Sequence, residues 1–281
     1  MAPTLRECPH PGCGRPGAHL HFTLVRLPLC CPRSDRRAMI RADAAPPDPA
    51  DFEAAMADPS CALFVDRASV DGPLPAMVCF GSLTNRNDVA PFEFVRQTGD
   101  FGVHLVFVRD LGQCWYQGGL PGTADGVEAT ATHLASVLDG LAPSRSVFVG
   151  NSSGGFAAVL FGVLCGADEV VAFGPQASIT RTGRLRIRER RWTRQARAGR
   201  RAAVDRAHID LVRLLRTSPH PGRITVHHGE GDVMDTRAAY LIGKAPGVAI
   251  ESHPGGHLFI RRLRDADGLV PILNGALYPQ D

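Results

Sequence analysis

The sequence predicts an α/β fold: a mostly parallel, eight-stranded sheet with helices on both faces. Three observations carry that expectation. Short runs rich in Val, Phe, Leu and Ile recur along the chain, several continuously apolar, as strands buried on both faces are. Helix-length apolar segments fall between the later runs. Strands and helices that alternate in this way build parallel sheets through right-handed crossovers.

Residues 1–17 are polar and Pro/Gly-rich and read as a flexible N-terminal segment, leaving 18–281 as one substantial domain. The eight strand candidates are HFTLVRL (21–27), ALFVDR (62–67), AMVCFG (76–81), HLVFVRD (104–110), SVFVG (146–150), EVVAFGP (169–175), RITVHHG (223–229) and VAIESH (248–253). RADAAPPDPADF (41–52) reads as a linker that begins a short helix near Pro49, because proline suits a first helical turn. In GVEATATHLASVLDGLA, Val127, Ala131, Leu134, Leu138 and Leu141 recur at helical spacing and form one apolar face. FAAVLFGVLCG is apolar on most sides, like a helix packed on a sheet. LFIRRLRDADGLVPILNGAL supplies a last helix.

Residues 180–218 break the pattern. The stretch 181–206 carries eleven arginines against Glu189 and Asp205, between the sixth and seventh strands. It reads as a lid-like basic helical insertion, with Arg186, Arg190, Arg194, Arg197 and Arg201 sharing one helical face. Such a face would favour anionic acyl substrates or anionic carriers; a solvated face in an arginine-biased chain is the plainer alternative.

Composition excludes some functions. A formal net charge of +3 does not imply a nucleic-acid partner, and none is expected. No run of about 18 apolar residues suggests a membrane span. The N-terminus lacks the apolar core of a secretory signal, so a cytoplasmic location with free thiols is expected. Cys79 and Cys165 read as small core residues. Cys8, His10, Cys13, His19, His21, Cys30 and Cys31 cluster near the N-terminus, yet without a CxxC pair they match no common zinc pattern. No metal and no cofactor are expected.

The chemistry concentrates in VFVGNSSGGFAAVLFG (147–162). Gly150-Asn151-Ser152-Ser153-Gly154 is a G-x-S-x-G between a strand and a helix. A serine on such a turn takes a strained conformation and projects above the sheet, with small neighbours because the turn leaves no room. Ser152 is the candidate nucleophile; a purely structural glycine turn is the alternative. The acid and the histidine should follow in that order. Asp232 lies just beyond RITVHHG, with Asp235 as the alternative acid, and His257 lies in a Gly-rich loop beyond VAIESH. His227, His228 and His253 read as strand residues, and His104 and His133 precede the acid. The oxyanion donors would be the amides of Ser153 and Ser82, with Leu83 as a second choice for the latter. Trp115 and Tyr116, in DLGQCWYQGGLPG (110–122), would stack on a sugar or acyl group or else anchor the loop, and Gln176 would line the pocket.

These motifs resemble α/β-hydrolase-fold serine hydrolases over roughly residues 60–275. More narrowly, they resemble bacterial α/β-hydrolase-like proteins that pair an R-D-x4-W-Y-x-G loop with a G-[NS]-S-x-G-G elbow and a following F-x-P-Q. Here these are Arg109-Asp110 with Trp115-Tyr116 and Gly118, Gly150 to Gly155, and Phe173 to Gln176. The resemblance implies the fold and a Ser–Asp–His triad, in proteins of undefined substrate, some of them found near polysaccharide assembly genes. Relatives commonly carry a bulkier residue where Ser153 stands, which implies a changed pocket floor. The expected activity is cleavage of an ester or thioester through an acyl-enzyme, on a small-molecule or carrier-linked acyl substrate. The alternatives are acyl transfer to a sugar or other alcohol, and a non-catalytic binding or assembly protein on the same fold.

Overall fold

The structure, a computed structural model, describes residues 49–70, 72–84, 92–218, 220 and 222–279. The candidate strand at 21–27 and the N-terminal Cys/His group lie outside the described residues. The elements run in the order α1 (Pro49–Ala57), β1 (Leu63–Asp66), β2 (Ala76–Phe80), α2 (Val95–Thr98), β3 (His104–Val108), β4 (Gly119–Leu120), β5 (Ala124–Asp125) and α3 (Gly126–Leu141). There follow β6 (Ser146–Asn151), α4 (Ser153–Cys165), β7 (Glu169–Phe173), α5 (Arg181–Ile187), α6 (Thr193–Ala202), a 3-10 turn (Arg206–Ile209) and α7 (Leu211–Thr217). The chain closes with β8 (Arg223–Gly229), α8 (Val233–Ile242), β9 (Val248–His253), α9 (Phe259–Asp265) and α10 (Leu269–Leu277). Seven of the eight strand candidates are present, and α1 begins at Pro49 as expected.

Among the described residues, seven strands form one sheet in the order β1-β3-β2-β6-β7-β8-β9. Only β1 runs antiparallel, pairing Leu63 with Val108 on β3 at the edge; every other pair in this sheet is parallel. The continuous apolar runs are explained by two cores, one on each face. Val78, Phe80, Phe148, Ala172 and Val226 point into a core closed by α3, α4, α7 and α8. Their strand neighbours Met77, Cys79, Val147, Val149 and Phe173 point the other way, into a core closed by α9 and α10. Cys79 is fully buried; Cys165 is only partly so.

Two helical expectations are corrected. The last helix is two, α9 and α10, separated by Asp267 in the left-handed region (φ 56°) and Gly268. Pro271 is tolerated in the first turn of α10 but would have broken one continuous helix. The arginines at 186–201 do not share a face either. The chain leaves helical geometry at Arg188 (φ 59°) and Trp192 (φ 54°), so Arg186 belongs to α5, Arg190 to a connector, and Arg194, Arg197 and Arg201 to α6.

The approach of β6 to α4 is the tightest constraint in the core. A Cβ on Gly150 would overlap the Gly154 carbonyl, and one on Gly154 would overlap the Phe80 carbonyl of β2. Alanine normally stabilises a helix by about 1 kcal/mol over glycine. Gly275→Ala in α10, where nothing stands within 4 Å of the new methyl, should therefore raise the thermal midpoint or leave it unchanged. Gly154→Ala in α4 should lower it by many degrees or prevent folding. Equal midpoints for the two variants would show that backbone contact does not limit the β6–α4 junction.

Candidate active site

Ser152 is held at the junction by strain and by one strong tether. Its backbone lies at φ 52°, ψ −115°, a region that L-residues enter at a cost. Its N–H donates to the Phe173 carbonyl at 2.7 Å, so β7 fixes the turn. α4 begins at the next residue, which aims the positive end of its dipole at the space beside Ser152 Oγ.

His257 reaches Ser152 from the loop between β9 and α9, with Nε2 3.2 Å from Ser152 Oγ. Its Nδ1 lies 2.6 Å from Asp235 Oδ2. An Nδ1–H tautomer donating to Asp235 leaves Nε2 free to accept from the serine hydroxyl. The structure thus brings Ser152 and His257 together but corrects the acid: Asp235, not Asp232, faces the imidazole. Asp232 is the N-cap of α8, its Oδ1 accepting from the amides of Met234 and Asp235 at 2.9 Å each. That duty holds its carboxylate at the helix end, while Asp235, in the first turn and 2% exposed, points inward.

Both carboxylates share a cation. Arg191, from the connector between α5 and α6, donates Nη2–H to Asp235 Oδ1 at 2.8 Å and Nη1–H to Asp232 Oδ2 at 3.3 Å. It also forms a two-pronged pair with buried Glu189, at 2.6 Å from Nη2 and 3.0 Å from Nε. Burial works against its charge, but the hydrogen bonds it donates to Glu189 and Asp235 prevail and raise its pKa above the ordinary arginine value. Asp232, Asp235 and His257 offer ligand atoms within 4.8 Å of one another, as a metal would require. The guanidinium already lies against both carboxylates.

The two serines named as oxyanion donors flank Ser152. Ser153, fully buried, accepts the Leu83 amide on its Oγ at 2.8 Å. That bond removes Leu83 as a donor to substrate. It also shows Ser153 as a latch between α4 and the loop after β2, not as a pocket floor. Among the described residues, the Ser153 amide donates to no protein group, whereas the Ser82 amide faces the Glu93 carboxyl.

Trp115 and Tyr116 are corrected as substrate contacts, because both are fully buried. They occupy consecutive left-handed positions (φ 58° and 60°) in a loop braced by Asp110, whose carboxylate accepts the amides of Cys114 at 2.7 Å and Tyr116 at 3.1 Å. Tyr116 donates its hydroxyl to the Gly81 carbonyl at 2.8 Å, fixing the loop that carries Ser82. Trp115 donates its indole N–H to Gln176 Oε1 at 2.9 Å, and Gln176 Nε2 lies 3.1 Å from Ser152 Oγ. Gln176 therefore touches the serine itself.

No protein-family model matches the sequence. No curated protein matches it significantly either. Solved structures do match in shape. The capsule O-acetyltransferase of Neisseria meningitidis serogroup A aligns over 74% of this chain and 90% of its own, at 12% identity and a TM-score of 0.55. FphF, a fluorophosphonate-binding serine hydrolase of Staphylococcus aureus, aligns over 75% and 91% at 13% identity and 0.51. An esterase of Pyrobaculum calidifontis aligns over 76% and 80% at 15% identity and 0.51. The chain has the α/β-hydrolase fold.

On this α/β-hydrolase scaffold the serine opens into a cavity of about 600 Å³. Beside Ser152 and His257, its wall includes Glu93, Trp192, Arg261 and Arg264. The sequence pointed to none of these four as pocket residues. Trp192 had one usable signal, as the only aromatic in the arginine-rich stretch. Arg261 and Arg264 lay in the segment expected to form the last helix, and nothing marked Glu93. Of residues 180–218, only Trp192 lines the cavity; Arg190 and Arg194 are exposed elsewhere. Burial raises the Glu93 carboxyl from 4.5 to about 7, against the lowering effect of the hydrogen bonds it accepts from the Ser82 hydroxyl and amide.

A carboxyl whose folded pKa exceeds its unfolded one weakens the fold progressively as pH rises between the two values, and by a constant amount above them. The stability of Glu93→Gln relative to the wild type should therefore climb from pH 4.5 to about 7 and then level off. Denaturant unfolding across that range measures it. A difference that stays flat with pH would show the carboxyl to be unperturbed.

Proposed function

We propose that the protein is a serine-dependent acyl-transfer enzyme that cleaves a carboxylic ester or thioester through an acyl-enzyme on Ser152. The observation that carries this reading is the continuous line from Ser152 Oγ to His257 Nε2 and from His257 Nδ1 to Asp235, at 3.2 and 2.6 Å, on a strained elbow. His257 takes the serine proton as Oγ attacks the acyl carbon, and the Ser153 amide receives the oxyanion. His257 then passes the proton to the leaving alcohol or thiol. Water enters, gives its proton to His257, and releases the acid and Ser152. Asp235 holds the imidazole tautomer throughout.

Hydrolysis is the primary reading, in keeping with the esterase and the serine hydrolase of like fold. Transfer to a sugar or other alcohol is the second. It is favoured by Arg261 and Arg264 on the cavity wall, which suit a phosphate-bearing acyl donor, and by the likeness to the capsule O-acetyltransferase, one structure of which holds CoA. The exposed arginines of α5 and α6 add a cationic field that would draw anionic donors or carriers toward the protein.

A fluorophosphonate probe should label the wild type and leave Ser152→Ala unlabelled at equal folding. Asp235→Asn should slow turnover of an activated ester by roughly 10⁴-fold, as wrong-tautomer variants do. Asp232→Asn keeps a good cap residue and should stay within about tenfold of wild type. The reverse order would return Asp232 to the triad. With acetyl-CoA as donor, CoA release that rises when an alcohol is added, with ester formed in place of free acetate, would favour transfer over hydrolysis.

A further inference from the structure

We infer that Gln176 is a catalytic residue, donating a side-chain N–H to Ser152 Oγ to stabilise negative charge there, and that Trp115 is the positioning residue that fixes it in the donating orientation. This rests on the reading of Ser152 as nucleophile.

A glutamine amide can present either its oxygen or its nitrogen, and the choice follows from its partners. The Trp115 indole carries only a donor, so it obliges the Gln176 oxygen to face it at 2.9 Å. The nitrogen is then turned to Ser152 Oγ at 3.1 Å. Neither partner is free to move. Trp115 is fully buried, Gln176 is 2% exposed, and the Gln117 amide holds the Trp115 carbonyl at 3.1 Å. Two consecutive non-glycine residues in the left-handed region, Trp115 and Tyr116, mark the loop as held against its own preference.

The serine hydroxyl has one proton and can accept in return. Its proton goes to His257 Nε2, and its lone pair accepts from Gln176, so the resting network is complete. In that state the Gln176 bond joins two neutral groups. As the proton passes to His257, negative charge grows on Oγ, and the same bond becomes charge-assisted and about twice as strong. An interaction that strengthens toward the transition state lowers the barrier. The same donor meets Oγ again in deacylation, when the C–Oγ bond breaks, Oγ carries off the electron pair as the leaving oxygen, and His257 returns the proton.

The test is the rate of fluorophosphonate labelling, with thermal unfolding as the control for folding. Gln176→Ala should label about 10–100-fold more slowly than wild type. Gln176→Glu, of the same shape, should be slower still at neutral pH, because it sets a negative charge against the forming alkoxide. Trp115→Phe should be slower than wild type, and adding it to Gln176→Ala should cost nothing further, since it acts only through the glutamine. Gln176→Ala within twofold of wild type, Gln176→Glu as fast as wild type, or additive losses in the double variant would each overturn the inference. A wild type that takes no label would instead remove the Ser152 reading on which it rests.

Discussion

Three stretches of backbone occupy almost the same place where β6 ends, and the site depends on that crowding. The carbonyls of Phe80 and Gly154 stand where side chains on Gly154 and Gly150 would be, and Gly155 has 3.1 Å to the Gly150 and Phe173 carbonyls. Only glycine permits it. With no room to relax, the turn forces Ser152 to φ 52°, and the Phe173 carbonyl holds it there through the Ser152 amide. The strain is sustained because the strands on either side, β2 and β7, are buried throughout and cannot shift to relieve it.

Around that elbow the protein has to satisfy buried polar groups, and it does so by linking them to one another. Asp110 takes the amides of its own loop, Tyr116 takes the carbonyls of Gly81 and Val108, and Trp115 takes Gln176. Arg109 donates to the carbonyls of Ala55, Asp58 and Cys61 and lies 4.3 Å over the Phe92 ring. Each of these groups would be costly if unpaired in the interior. Pairing them has a structural by-product: the loop after β2, which carries Ser82, and the segment after β7, which carries Gln176, are set against Ser152 by the same few side chains.

The sequence made the sheet legible because strands buried on both faces leave long apolar runs that helices of mixed polarity do not. It made the strained turn at Ser152 legible, because glycines crowded around a serine between strand and helix mark a junction with no room for side chains. The acid was harder. Asp232 and Asp235 lie three residues apart on one helical turn, and a capping aspartate and an inward-facing one look alike until the start of α8 is known. Trp115 and Tyr116 misled for a general reason: aromatic residues in a long loop announce burial of some kind, and composition does not distinguish a ligand from the protein's own backbone. Glu93 and the pair Arg261 and Arg264 gave no signal because their place on the cavity wall comes from tertiary packing alone.

The arginine-rich stretch between β7 and β8 divides its charge in two directions. Arg181, Arg186, Arg188, Arg190, Arg194, Arg197, Arg201 and Arg206 are exposed, and among the described residues none of them joins an ion pair. Arg191 turns inward, while its neighbour Trp192, in the left-handed region, faces the cavity. The inward arginine solves a local problem. Glu189, Asp232 and Asp235 converge on one spot, and three carboxylates there repel one another without a cation. A lysine offers one point charge, whereas the planar guanidinium reaches all three carboxylates from separate N–H groups. The hydrogen bond to Asp235 Oδ1 keeps Oδ2 turned toward the His257 ring. The arginine-rich stretch is thus joined to Asp235 by one side chain and to the cavity by the next, so its placement and the geometry of the Asp235–His257 pair are set together.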